Sequence, residues 1–310
     1  MISVVDSVIP VFLLIAAGWL ARVSGLIEDR HWSGIELATY YIFFPAIIID
    51  TLARADLGSV PVLGVGGALV GAILLIAGAL LALRPSLERT LGLDGPSFTS
   101  LFQGSTRWNT FIGLAMATTL FGPRGVTLMA VAIAAMVPLL NTLAFYVLVR
   151  YAGGPPQTRL QTLRSFVTNP YIWSCAIGLA LNATGLPVPK AVGSFIEILG
   201  RAALAAGLLI VGAGLDVRRL ARPEAAHLVS IAAKLFLLPV IAVTLARLAG
   251  VSGLDLDVTI VAASVPTASG AYALAKLMGG NAALMAEIIT IQTLASLATM
   301  PIMIALFGTL

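Results

Sequence analysis

Apolar runs of about 20 residues, separated by short polar joints, fill most of this chain, and about 20 apolar residues are what a helix needs to cross a bilayer. The pattern therefore predicts ten membrane-spanning helices, numbered spans 1 to 10. Their expected limits are 4–22, 33–53, 61–83, 97–121, 126–150, 167–184, 192–214, 225–248, 257–277 and 283–308.

Spans 4 and 9 carry the same kind of interruption. Polar residues, glycine and proline break span 4 at GSTRWNTFIGL and span 9 at AASVPTASGAY. When Gly122 is aligned with Gly279, a shift of 279 − 122 = 157 positions, Asn109 falls on Pro266. Broken helices at corresponding positions of two halves are the best sequence pointer to the binding site of a transporter. We therefore expect helices 4 and 9 to be broken and to cross near the middle of the membrane.

A wider internal repeat accompanies the two interruptions. At a shift of 160 positions, five residues meet similar partners: Pro10 and Pro170, Gly18 and Gly178, Ser24 and Thr184, Gly25 and Gly185, Leu26 and Leu186. Five spans is an odd number, so the second copy enters the membrane from the opposite side. The predicted fold is an all-α membrane protein with a 5+5 inverted repeat: residues 1–150 and 167–310, joined by a linker at 151–166.

Composition excludes several classes of protein. Hydrophobic residues make up 59% of the chain and charged residues 10%, whereas a soluble domain carries roughly 25% charge. The single cysteine, Cys175, excludes an internal disulfide and a multi-cysteine metal site. The sequence contains no HExxH, P-loop or dinucleotide fingerprint. We therefore expect neither an enzyme nor a bound metal or cofactor.

The basic residues predict how the chain lies in the membrane. Odd-numbered connections hold eleven of them: Arg22, Arg30, Arg84, Arg89, Arg150, Arg159, Arg164, Arg218, Arg219, Arg222 and Lys276. Even-numbered connections hold four: Arg54, Arg124, Lys190 and Arg247. Because cytoplasmic loops collect Lys and Arg, the odd connections and the linker should face the cytoplasm and both termini the outside. This excess of basic residues requires no nucleic acid partner.

Several segments in combination resemble the auxin efflux carrier family, as a bacterial member. They are YYIFFPAIIIDTLARADL (40–57), STRWNTFIGL (105–114), PLLNTLAFYVL (138–148), NPYIWSCAIGLALNATGLPVP (169–189), LLIVGAGLD (208–216) and SVPTASGAYALAKLMGGNAALMAEI (264–288). The resemblance covers essentially the whole chain. The long hydrophilic central loop of the plant exporters has no counterpart here.

That resemblance implies a fold shared with the bile-acid sodium symporters. Spans 1, 2, 6 and 7 would form a scaffold, through which a homodimer is possible. Spans 3–5 and 8–10 would form a transport unit in which helices 4 and 9 cross at their breaks. The resemblance also implies an elevator-like mechanism and an organic anion as substrate.

The residues at the two breaks favour an anion site independently. A broken helix exposes backbone groups, which a membrane tolerates only where they line a cavity or are buried in protein. The second half-helices supply N–H donors and a partial positive charge. The substrate-binding candidates are Arg107, Asn109, Thr110 and Gly113 in the first break, and Pro266, Thr267, Ser269 and Tyr272 in the second. Alternatively, these side chains only repair the interrupted backbone.

Arg107 is the most distinctive of these candidates. An unpaired arginine inside a membrane costs roughly 2.5–3.5 kcal/mol or more. Its planar fork matches a carboxylate through two parallel hydrogen bonds. Either Arg107 clamps the carboxylate of a substrate, or it has a permanent partner such as Glu287 or Asp50, or it reaches along a water-filled cavity.

Four further residues are candidates for ion coupling: Lys234, Glu287, Asn141 and Gln292. The ammonium of Lys234 could take the place of a sodium ion and pair with Glu287, and either group could carry a proton. A static ion pair is the alternative. The predicted function is secondary active transport of a small organic anion, such as a mono- or dicarboxylate or an auxin-like acid, in a bacterial inner membrane. A sodium-coupled symporter is the alternative, and a channel is less favoured.

Overall fold

The described elements of this chain are all helical. The computed structural model describes residues 4–55, 58, 61–153, 168–217 and 224–309. Its α-helices are α1 (Val4–Val23), α2 (Asp29–Ala38), α3 (Phe44–Arg54), α4 (Val62–Leu91), α5 (Gly95–Thr106), α6 (Thr110–Tyr151), α7 (Pro170–Thr184), α8 (Lys190–Ala213), α9 (Ala225–Ile231), α10 (Leu238–Leu248), α11 (Gly253–Ser264), α12 (Gly270–Met278) and α13 (Ala282–Phe307). Two π-helical segments, Thr39–Phe43 and Ala232–Leu237, join α2 to α3 and α9 to α10.

The helices reproduce most of the predicted spans. Within the described residues, seven stretches are long and apolar enough to cross a membrane. Spans 4 and 5 share one of them, Gly95–Tyr151. Spans 6 and 9 are represented by shorter helices: α7 has 15 residues, and span 9 is divided into α11 and α12, of 12 and 9 residues. The chain is a multi-pass membrane protein whose described elements are all helical.

Parts of the earlier predictions lie outside the described residues. Most of the linker at 151–166 does, because residues 154–167 are not described. The same holds for the basic residues Arg159, Arg164, Arg218, Arg219 and Arg222, and for both chain ends.

Local chemistry explains where two neighbouring helices end and begin. Helix α4 ends at Leu91, and the next residue, Gly92, has a φ of 65° in the left-handed region that favours glycine. Asp94 caps α5 by accepting a hydrogen bond from the Ser97 N–H at 2.8 Å. Hydrogen bonds from the Ser97 side chain and backbone lower the pKa of the Asp94 carboxyl. A second left-handed glycine, Gly122 (φ 59°), turns the chain inside α6 between spans 4 and 5.

One group of helices packs through close backbone contacts. Helix α1 lies against α8, and α3 lies against α7 and α8. A Cβ added to Gly18 would overlap the carbonyl of Leu209. A Cβ added to Gly178 would come within 3.3 Å of the Ile49 backbone. Each contact maps onto the other at a shift of 160 positions: Gly18 corresponds to Gly178 (178 − 18 = 160), and Ile49 corresponds to Leu209 (209 − 49 = 160).

A second pair of contacts repeats that shift. Arg22 Nη1 donates to the carbonyl oxygen of Ala213 at 2.7 Å. Asn182 Nδ2 donates to the carbonyl oxygen of Ala53 at 3.3 Å. Here 182 − 22 = 160 and 213 − 53 = 160. Different side chains therefore make equivalent bonds to helix ends at positions that the predicted repeat brings into register.

Close packing at Gly18 leads to a stability prediction. Gly18→Leu should strongly destabilise the protein, because a side chain there must displace the backbone of α8 rather than a flexible side chain. Gly78→Ala in α4 is the control, since a Cβ at Gly78 meets nothing within 4 Å. Size-exclusion profiles and thermal unfolding in detergent would compare the two. Equal stability of both variants would contradict the packing described for α1 and α8.

Candidate functional site

A cavity of about 700 Å³ lies beside the interruption between α5 and α6. That volume is in the range of small-molecule sites. Its polar lining includes Glu36, Tyr40, Arg107, Asn109, Asn141 and Tyr171, and its apolar lining includes Trp108, Phe111, Leu140, Phe145, Ile172 and Ile210. The lining comes from α2, the first π-helical segment, the interruptions between α5 and α6 and between α11 and α12, and helices α6, α7, α8 and α12, so long-range packing assembles the cavity from distant parts of the chain.

The two interrupted segments contact each other at Asn109, which lines this cavity. Helix α5 ends at Thr106 and α6 begins at Thr110, while α11 ends at Ser264 and α12 begins at Gly270. The backbone N–H of Asn109 donates to the carbonyl oxygen of Pro266 at 3.0 Å. Each segment thus supplies a hydrogen-bond partner that the other's broken helix lacks.

Side chains complete the open ends of the first half-helices. The last carbonyls of a helix have no partner within it. The Trp108 indole N–H donates to the carbonyl oxygen of Ala262 at 2.6 Å, and the Thr267 hydroxyl donates to that of Gly104 at 2.7 Å. These reciprocal bonds fix one segment against the other.

Gln292 of α13 adds a third connection. Its Oε1 accepts a hydrogen bond from the Thr267 N–H at 3.0 Å. Its Nε2 donates to the Gly104 carbonyl at 2.8 Å and to the Ser230 hydroxyl at 2.7 Å. One amide thereby holds α5, α9, α13 and the second interrupted segment together.

Two donors at the first interruption are left unused. Arg107 Nη2 donates to Asn141 Oδ1 at 3.3 Å, while its Nη1 is buried and has no hydrogen-bond partner in the described structure. Asn109 Oδ1 caps α6 by accepting from the Ile112 N–H at 3.1 Å, and its buried Nδ2 likewise lacks a partner. Both residues line the cavity. Leaving such groups unpaired in a protein interior is costly, which favours a ligand as their partner.

The permanent partners considered for Arg107 are engaged elsewhere. Asp50 forms an ion pair with Arg54 at 2.7 Å. Glu287 lies 3.1 Å from His227 Nε2. Neither carboxylate contacts Arg107, so its described side-chain partner is the neutral amide of Asn141.

The expected pairing of Lys234 with Glu287 is wrong. Within the described residues Lys234 forms no ion pair, although its side chain is buried in the π-helical segment. Glu287 instead lies beside His227. His227 precedes Lys234 by seven residues, which is roughly 10 Å along a helix at 1.5 Å per residue. This distance separates the ammonium of Lys234 from the carboxylate of Glu287.

The predicted site residues separate into two sets. Arg107, Asn109, Thr110, Asn141 and Ser269 line the cavity. The others do not: Pro266, Thr267 and Gln292 belong to the contacts between the interrupted segments, Gly113 packs against Trp108, and Tyr272 is 40% exposed on another face of α12.

An aromatic wall of the cavity was not identified from the sequence. The rings of Tyr40 and Tyr171 meet edge to face with centroids 5.3 Å apart, and Phe44 lies 4.6 Å from Tyr171 and 5.1 Å from Phe111. Tyr40 belongs to the first π-helical segment, a rare geometry that is frequent at functional sites. Glu36 lines the same cavity. The YYIFF run at 40–44 was the sequence signal for this aromatic wall, but it was used only as evidence for the family resemblance.

Comparison with known proteins decides the family. The family model described as membrane transport protein matches residues 3–304. The chain belongs to this family, the auxin efflux carriers. The carrier is also 25% identical over 299 residues to an uncharacterized transporter of Methanothermobacter thermautotrophicus, with 96% of each chain covered. The carrier is therefore a membrane transporter. No group of three metal-ligating side chains occurs in its described part.

Proposed function

We propose that this carrier is a secondary active transporter of a small organic anion, bound through a carboxylate. One observation supports this above all. Arg107 and Asn109, whose buried Nη1 and Nδ2 have no partner in the described structure, belong to the same interrupted segment and line the same cavity. A carboxylate accepts several hydrogen bonds and matches the guanidinium fork. The N-terminal end of α6, which begins at Thr110, adds a favourable dipole.

The proposed architecture is ten spans in a 5+5 inverted repeat, with helices 4 and 9 broken and crossing. The contacts related by a shift of 160 positions support the repeat. The bond between Asn109 and Pro266 supports the crossing. Residues 1–150 would form the first half, 151–166 a cytoplasmic linker and 167–310 the second half.

Two packing groups favour an elevator mechanism. Helices α1, α3, α7 and α8 pack on one another as a scaffold would. Helices α4, α6, α10 and α11 pack together, as a transport unit would. The cavity has walls from both groups, so movement of one against the other would carry a bound anion. Exposed apolar residues of the scaffold, such as Phe195 and Ile198, offer a surface for a homodimer.

The proposed orientation places the cavity mouth at the cytoplasm. Ser33, Asn169 and Leu277 line the cavity near helix ends that the distribution of basic residues assigns to the inside. Both termini would then lie outside a bacterial inner membrane. In this orientation the carrier would be open inward.

A thermal-shift screen of mono- and dicarboxylates tests the proposed function. A ligand that binds only the folded protein raises its unfolding temperature by mass action. At least one carboxylate should stabilise the purified carrier in a saturable way, and matched neutral amides should not. If no carboxylate stabilises it while neutral or cationic compounds do, the anion site is refuted.

Sodium coupling is the main alternative within carriers, and it leads to a separate prediction. Uptake into liposomes should not depend on sodium at fixed ionic strength, and the reason lies in the side-chain oxygens at the two interruptions. The oxygens of Gln292 and Thr267 are already engaged in hydrogen bonds between the interrupted segments. Replacing sodium with choline provides the measurement. A steep, saturable requirement for sodium would favour the symporter alternative.

A further inference from the structure

The ring of Phe111 occupies a space that a glycine of α8 leaves open. Phe111 lies in the first turn of α6, two residues after Asn109, and it lines the cavity. A Cβ added to Gly207 would overlap this ring. Phe44 of α3 is fully buried and meets the same ring edge to face, with centroids 5.1 Å apart. One side chain beside the cavity is therefore enclosed by α3 and α8, two helices of the proposed scaffold.

This contact joins the two packing groups of the proposed elevator. Phe111 belongs to α6, in the proposed transport unit, whereas Gly207 and Phe44 belong to the proposed scaffold. The ring fits because glycine has no side chain, so the two surfaces lose this fit once α6 is displaced along α8. The contact therefore stabilises the present conformation, and it must part before the transport unit can move.

The internal repeat gives this contact a counterpart. At the shift that relates the two halves, Gly207 corresponds to Ile47 (207 − 47 = 160). At the shift that relates the two breaks, Phe111 corresponds to Ala268 (268 − 111 = 157). Because the two halves of an inverted repeat are alike, the opposite conformation arises when they exchange their arrangements. The counterpart is a contact between Ala268 and Ile47, in which the large and the small residue have changed places.

In the present conformation these counterpart residues lie beside different parts of α8. Ser269, next to Ala268, lies at the C-terminal end of this helix, where a Cβ added to Gly214 would be 3.9 Å from its Cβ. Ile47 instead packs against Gly200, with 3.3 Å between its Cβ and a Cβ added there. Gly214 follows Gly200 by 214 − 200 = 14 positions, which is about four helical turns.

We infer that Ala268 and Ile47 come into contact in the opposite conformation of the carrier, where their contact replaces that between Phe111 and Gly207. The inference rests on the proposed function and on its elevator movement. The two contacts exclude each other, because the transport unit cannot lie against both parts of the scaffold at once. They define the two end points of the movement that carries the site across the membrane.

Two pairs of cysteines test the two contacts, with Cys175→Ala as their common background. Phe111→Cys with Gly207→Cys joins the first contact. A Cβ at Gly207 lies 2.6 Å from Phe111 Cγ, so the two Cβ atoms are no more than about 4 Å apart, as a disulfide requires. Ile47→Cys with Ala268→Cys joins the second contact. Each pair should cross-link in proteoliposomes, and oxidation should abolish the exchange of internal for external carboxylate until a reductant restores it.

Ile47→Cys with Gly200→Cys is the matched control, because this pair joins two helices of the scaffold and shares one substitution with the second pair. Its oxidation should leave carboxylate exchange unchanged. Binding separates locking from damage to the site. In the Phe111→Cys, Gly207→Cys pair, the oxidised and reduced forms should show the same thermal shift with the carboxylate, since this disulfide holds the conformation in which the cavity is open.

The rate of cross-linking tests whether the two contacts exclude each other. Gly207→Ala places a methyl group against the Phe111 ring and so disfavours the present conformation. It should raise the rate at which the Ile47→Cys, Ala268→Cys pair cross-links about fivefold or more. Gly78→Ala should leave that rate unchanged, because a Cβ at Gly78 meets nothing within 4 Å.

Failure of this inference and failure of the proposed function give different results. The inference fails, and the proposed function is unaffected, if the Ile47→Cys, Ala268→Cys pair does not cross-link in a carrier that exchanges carboxylate. The same conclusion follows if either cross-linked pair transports as fast as its reduced form, or if Gly207→Ala leaves the cross-linking rate unchanged. If the wild-type carrier exchanges no carboxylate, the proposed function fails and this inference fails with it.

Discussion

Replacing Arg107 with alanine is expected to weaken binding of the transported carboxylate about 10- to 100-fold, the equivalent of roughly 1.5–3 kcal/mol. Arg107 lines the cavity, and its buried Nη1 has no partner in the described structure, so a bond to a ligand would form in a site poor in water. The measurement is the dissociation constant of the carboxylate that gives the largest thermal shift.

Two further variants separate charge from geometry. Arg107→Lys retains the charge but loses the second parallel hydrogen bond, so it should bind with intermediate affinity. Arg201→Ala removes an arginine that is exposed and paired with Glu197 outside the cavity, and should bind as the wild type does. Equal affinity of Arg107→Ala and Arg201→Ala would show that Arg107 has a structural role only.

Gln292→Leu is expected to be the most destabilising substitution at the interrupted helices, by about 2–5 kcal/mol. The side chain makes hydrogen bonds to Thr267, Gly104 and Ser230, and all of these partners are buried. Leucine has a similar size but leaves the Thr267 N–H without its acceptor. The midpoint of thermal unfolding in detergent should fall by several degrees or more.

Thr293→Val is the matched control. Thr293 is the next residue along α13, and its own hydroxyl is buried and has no hydrogen-bond partner in the described structure. Removing that hydroxyl should change stability little or increase it. A Gln292→Leu variant as stable as Thr293→Val would mean that the network around Gln292 does not hold the interrupted segments together.

The helices were predictable from the sequence because a span in lipid must be apolar along its whole length. The limits of α1 and α13 follow the predicted spans 1 and 10 to within a few residues. The predicted interruptions rest on the same reasoning, since Asn109 and Pro266 stand out in apolar surroundings. Their direct contact through one hydrogen bond required the structure.

The sequence predicts only some of the residues that line the cavity. Arg107 and Asn109 are polar residues within a span, so hydropathy marks them. Tyr40, Tyr171 and Glu36 lie near span ends, where aromatic and charged residues are common at any membrane interface. Only the three-dimensional packing of the helices brings these residues into the lining of the same cavity.

The wrong pairing of Lys234 with Glu287 has a related cause. Both residues are charges in neighbouring spans, and sequence alone does not define their relative heights. The bond between Ser230 and Gln292 sets the register of these helices, and it places Glu287 beside His227. Lys234 then lies farther along the helix, within the π-helical segment.

Counterflow in proteoliposomes tests the central claim most directly. Vesicles containing the carrier would be loaded with the carboxylate selected by thermal shift, and uptake of the labelled compound would be followed. A carrier with one site at the interrupted helices predicts saturable uptake that internal unlabelled substrate accelerates and that Arg107→Ala reduces. Uptake that rises linearly with concentration, shows no acceleration and is unchanged in Arg107→Ala would contradict the account.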